Sequence, residues 1–101
     1  MMVKPRITIA YTKGDDGEPD EVLFYLNPEG RDLLVNELKH LDERSDHFHL
    51  QDEDWSGEVP LQVKAYVPGQ EHVVSAAKVM LRPDHWDAEY FPHVLSDEPK
   101  Q

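Results

Sequence analysis

The chain has 101 residues, of which 21 are Asp or Glu and 10 are Lys or Arg, giving a formal net charge of -11. That length suits one domain with a small core; the charge repels nucleic acid and anionic membranes, attracts cations and basic proteins, and also serves plain solubility. With no cysteine, disulfides, thiolate catalysis and cysteine-ligated zinc are excluded.

A domain of this size without disulfides points to the cytoplasm. The opening MMVKPRITIAYTK has no apolar run of signal-peptide length, and no window approaches the ~20 apolar residues of a membrane span. One domain is expected over residues 1–95, with 96–101 as a frayed tail.

Residues 6–12, RITIAYT, alternate as a strand, with Ile7, Ile9 and Tyr11 on one face and Thr8, Ala10 and Thr12 on the other. KGDDGEPDE supplies Gly, Asp and Pro for a turn, and residues 21–26, EVLFYL, predict a second strand. The two form a hairpin with a loop of about eight residues. NPEGRDLLVNELKHLDER predicts a helix: Asn27 caps it, Pro28 suits its first position, Glu29 and Asp32 face the positive end of the dipole and Arg44 the negative end. Leu34, Leu38 and Leu41 form an apolar stripe with Leu33 alongside; Arg31, Asn36, Lys39 and Glu43 lie opposite, and Gly30 is expected to cost little in the first turn.

DHFHL alternates again. Residues 61–67, LQVKAYV, predict a strand with Leu61, Val63, Ala65 and Val67 on one face. PGQEH is a turn, and residues 73–82, VVSAAKVMLR, predict another strand with Ala77, Val79 and Leu81 inward. RPDHWDAEYFPHVL, broken by Pro83 and Pro92, is expected to be a loop with a short helical turn. The order β-β-α-β-β-β predicts an α+β domain: a mainly antiparallel sheet with one helix packed on one face and the other face partly open.

If residues 47–50 form a strand, Phe48 and Leu50 face the core and His47 and His49 share the open face. Two such histidines can bind zinc or another transition metal if a third ligand joins them, with Asp52, Asp54, His72, His85 and His93 as candidates. They can equally be two surface imidazoles in an acidic field. Beyond them, Asp52, Glu53 and Asp54 repel one another and must meet solvent or cations, and Trp55 follows directly. An aromatic beside carboxylates suits an interface anchor that selects a basic partner, or the ring folds back as a lid over the core edge. DHWDAEYFPH repeats the combination, with Trp86, Tyr90 and Phe91 among Asp84, Asp87 and Glu89. The acidic loop at residues 13–21 lacks calcium-loop spacing, no phosphate-binding or hydrolase motif occurs, and no basic stripe interleaves with aromatics.

The segment NPEGRDLLVNELKHLDERSDHFHL, residues 27–50, resembles immunity protein family thirty-two of bacterial polymorphic toxin systems. The shared pattern is a short hairpin, a helix with an Asn-type start and a Leu-rich stripe from Asn27 to Leu41, and a strand carrying His47, Phe48, His49 and Leu50. The resemblance implies a non-enzymatic bacterial protein that binds a cognate toxin and blocks it in the producing cell. The charge agrees independently, because an acidic protein can mimic the substrate of a basic nuclease cleft. The expected contact residues are Asp52, Glu53, Asp54 and Trp55, with His47 and His49 on the same exposed face, and a second segment of Trp86, Asp87 and Tyr90, with no cofactor, no nucleic acid and no membrane. The alternatives are a metal-binding protein or small metalloenzyme on His47 and His49, and a homodimer through the open sheet face.

Overall fold

The computed structural model describes residues 3–52 and 57–96. The alternation in RITIAYT becomes strand β1, Ile7–Lys13, and the next apolar run becomes β2, Pro19–Leu26, antiparallel to it from Ile7↔Leu26 to Lys13↔Pro19. The loop between them covers only residues 14–18, shorter than the sequence suggested, because β2 starts at Pro19, the kind of strand end where a missing N–H is tolerated. Gly14 N–H donates to the Glu18 carbonyl at 2.8 Å, and Gly17 takes a positive φ of 83° that closes the turn.

Helix α1 is Pro28–Lys39. Asn27 Oδ1 accepts from the amides of Gly30 (2.7 Å) and Arg6 (2.8 Å), and its Nδ2 donates to the Lys4 carbonyl (2.9 Å). One side chain thus caps the helix and pins it to the start of β1. Gly30, in the first turn, does more than the sequence suggested: it is buried, and a Cβ on it would lie 2.4 Å from the Arg6 carbonyl oxygen and 2.9 Å from Ile7 Cγ1, so only glycine fits. Leu33, Leu34 and Leu41 pack on the core, whereas Leu38 is 45% exposed. The helix stops five residues before Arg44, since Asp42 Oδ1 accepts from the amides of Arg44 (2.8 Å) and Ser45 (2.7 Å), a local turn that competes with helix.

Strand β3, His47–Asp52, is followed by β4, Val59–Leu61, parallel to it. The strand expected over 61–67 is not formed. Past Leu61 the chain crosses to β1, where Gln62 N–H donates to the Ile7 carbonyl (2.8 Å), and Val63 and Val67 are left 42% exposed. The single strand expected over 73–82 is two: β5, His72–Val73, pairs with β1, and β6, Ala76–Met80, pairs antiparallel with β3. Helix α2, Asp84–Tyr90, and a 3-10 turn, Pro92–Leu95, complete the described chain.

The α+β class stands, but the sheet is divided into two of three strands, ordered β2-β1-β5 and β4-β3-β6. The core lies between them: Ile7 and Ile9 from one sheet meet Phe48, Leu50, Val59 and Leu61 from the other. Thr8 and Ala10 are buried as well, so β1 is covered on both faces, unlike the open face expected for a single sheet. No helix among the described residues is long and apolar enough to cross a membrane.

The connection between β4 and β5 is tied down by Glu71. Its Oε2 accepts from the Tyr25 hydroxyl (2.5 Å) and its Oε1 from the amides of Tyr66 and Val67 (3.0 Å each), while the Tyr25 and Tyr66 rings stack at 3.9 Å. The Tyr25 hydrogen bond, with the two amides, holds the Glu71 carboxyl below its ordinary range, and the same bond raises the Tyr25 phenol. A depressed carboxyl contributes stability that is complete above the ordinary carboxylate range and is lost as pH falls through the lowered value. Glu71→Gln is therefore expected to flatten the acid limb of the stability curve below about pH 5. Urea midpoints measured from neutral pH downwards check this; parallel acid limbs in the two chains would contradict it.

Candidate functional site

The alternation of β3 sorts its side chains as the sequence predicts. Phe48 and Leu50 are each 2% exposed in the core, and His47 and His49 lie on the outward face, opposite Met80 and Lys78 of β6. The two imidazoles meet edge to face with centroids 5.2 Å apart. His47 Nδ1 lies 2.8 Å from Asp46 Oδ1, and the His49 amide donates to Glu58 Oε2 at 2.9 Å. Those hydrogen bonds hold both carboxyls below their ordinary range, Asp46 through the His47 ring and Glu58 through the His49 N–H.

The third ligands considered for a metal are engaged elsewhere or lie outside the described residues. His72 stacks on Tyr11 at 5.1 Å, His85 Nε2 pairs with Glu43 Oε1 at 3.0 Å, and the His93 ring sits 6.2 Å from that of Phe91. Among the described residues no three His, Asp or Glu gather where they could hold a metal ion.

Of the expected acidic contacts, Glu53, Asp54 and Trp55 lie outside the described residues. Asp52 ends β3, half-buried, on the parity of Phe48 and Leu50 rather than that of the histidines. Asp52 was expected on the face of the histidines; its place on the other face is a correction that follows from the two-residue period of the strand. Asp87, expected as a contact, is buried at 8% exposure and offers a partner little surface.

Trp86 and Tyr90 do form a surface group. Trp86 is half-buried at its centre, 4.7 Å from the Tyr90 ring and 5.4 Å from that of Phe91, and Arg82 Cζ lies 4.4 Å over the indole. Such a cation over an indole face is attracted by the ring quadrupole. Tyr90 (56% exposed), Phe91 (43%), Val94 (60%) and Leu95 (41%) leave an apolar surface uncovered. Glu43, Asp46, Arg82 and His85 line a cleft beside Trp86, and Arg82 Nη1 reaches Asp46 Oδ2 at 3.7 Å.

The two aromatic-acidic segments expected to act together are apart. Because β3 and β6 are antiparallel, with His47 opposite Met80 and Gln51 opposite Ala76, α2 leaves β6 at the His47 end. Asp52 is at the other end of β3, roughly 17 Å away along the strand. The acids that accompany Trp86 are Glu43 and Asp46, which sequence reasoning missed. Phe91 was named with Trp86 and Tyr90, but Val94 and Leu95 were missed, although apolar residues just past Pro92 in so acidic a segment were a usable signal.

No family model, no curated protein and no solved structure matches this chain.

Proposed function

We propose that this protein is a non-enzymatic inhibitor that binds a basic bacterial toxin domain in the producing cell and blocks it. The observation that carries this reading is the uncovered apolar surface around Tyr90, Phe91, Val94 and Leu95, beside Glu43 and Asp46, in a chain of net charge -11. Exposed apolar residues rimmed by polar ones are a common mark of an interaction site. Aromatic anchors supply desolvated area and slow dissociation, while the acidic field speeds the encounter with a basic partner. Carboxylates seated in a cationic cleft would occupy the place of a phosphate backbone. The resemblance over residues 27–50 implies the same role.

The test is capture of a basic partner from the source cells, followed by titration calorimetry of the purified pair. Tyr90→Ala, at a site already 56% exposed, is expected to weaken binding by ~30-fold or more with an unchanged melting temperature. Affinity should fall as salt rises. A partner that binds wild type and Tyr90→Ala equally would place the contact elsewhere, and an acidic partner would contradict the charge argument.

A further inference from the structure

Strand β2 has β1 on one side and, among the described residues, no strand on the other. The direction of its backbone groups follows from the register. Asn27 N–H donates to the Arg6 carbonyl (3.1 Å), so the pairs of that parity, Thr8 with Tyr25 and Ala10 with Leu23, exchange the ladder bonds. The N–H and C=O groups of Val22, Phe24 and Leu26 therefore point away from β1. The far edge of β1 has the same phase, its Ile7 and Ile9 carbonyls accepting from Gln62 and Val74.

The residues with outward amides also carry the exposed apolar side chains: Val22 is 56% exposed, Phe24 62% and Leu26 40%. They share one face by alternation. A long apolar edge strand is a template for another strand, and proteins commonly guard one with a charge. The outer strand of the second sheet has such a guard: Leu81 N–H donates to the Asp46 carbonyl, which by the same parity turns the amides of Ala76, Lys78 and Met80 outward, with Lys78 in the middle. On β2 no charge stands within the run Val22, Phe24 and Leu26; the nearest on that parity is Asp20, at the strand's start beside the register shift. Carboxylates gather instead at its start, with Asp20 and Glu21 in the strand and Asp15, Asp16 and Glu18 in the loop.

We infer that the free edge of β2 is a strand-addition site for an extended segment of a basic protein. Main-chain hydrogen bonds to Val22 and Phe24 would supply affinity and the apolar row a seat for alternate side chains. The acids at the strand's start select cations, and a second copy of this chain would bring another -11 against them. This edge is a different surface from that around Tyr90, and strand addition here does not require that surface to meet a toxin.

The experiment titrates the isotope-labelled full chain with a peptide of alternating Val and Lys, matched to the eight residues of β2, and follows the amides by NMR. The expected result is shift changes and slowed exchange centred on Val22, Phe24 and Leu26, with a Val and Glu peptide binding about tenfold more weakly or worse. Val22→Pro removes an outward N–H and spares the bonds to β1, so it should weaken the Val and Lys peptide by about tenfold. Should that variant unfold, Phe24→Lys reads the same edge from an exposed position. Equal binding of the two peptides, shifts centred on Trp86 instead, or no binding would overturn the inference. So would edge amides already protected without peptide, whether light scattering shows a dimer or a monomer covered by its own chain.

Discussion

Replacing Gly30 by alanine is expected to destabilise the fold by ~3 kcal/mol, a loss of more than ~10 °C in melting temperature. The added methyl would sit 2.4 Å from the Arg6 carbonyl oxygen, which is backbone and cannot swing aside as a side chain could. The Arg6 backbone is held from two directions, its N–H by Asn27 Oδ1 and its carbonyl by the Asn27 amide. Relief therefore requires α1 to move off β1, which opens the contact of Leu33 and Leu34 with the core. Against a total stability of roughly 5–15 kcal/mol, this is a large share. Val35→Ala, on the exposed face of the same helix, is the control and should melt close to wild type. A Gly30→Ala chain that melts with the control would mean that helix and strand are not this close.

Phe48→Ala should cost about 3–5 kcal/mol, whereas His47→Ala and His49→Ala leave the urea midpoint nearly unchanged. Phe48 fills the space between the two sheets with Ile7, Ile9, Val59 and Leu61 and cannot be replaced by relaxation of a core this small. The histidines one residue to either side lie on the outward face, where their carboxylate partners are themselves exposed. Losses of similar size at positions 47 and 48 would deny the alternation on which the core and the outward face both rest.

What the sequence revealed was local. The hairpin, the Asn27 cap with Pro28 after it and the sorting of residues 47–50 each depend on neighbours a few positions away, and each is found. The division of 73–82 depended on distant partners. Val73 and Val79 read alike in sequence, but Val74 N–H is bound by Ile9 and Asp52 N–H by Ser75, and these two bonds send adjacent segments to different sheets. The close approach at Gly30 was hidden for the same reason, since it depends on Arg6. The helix end at Lys39 was readable in principle, because Asp42 with Ser45 three residues later is a turn former. The candidate surface was legible in composition and not in layout: Trp86 and Tyr90 were visible as a cluster, while their distance from Asp52 follows from the antiparallel pairing of β3 and β6.

The proposed role is tested most directly by growth. The basic partner captured by this chain is expressed alone and together with the chain, wild type or Tyr90→Ala, in a host lacking both. The expected result is arrest by the partner alone, rescue by the wild-type chain, and weaker rescue by Tyr90→Ala at equal expression. A partner that does not impair growth, or an arrest that the wild-type chain fails to relieve, would contradict it.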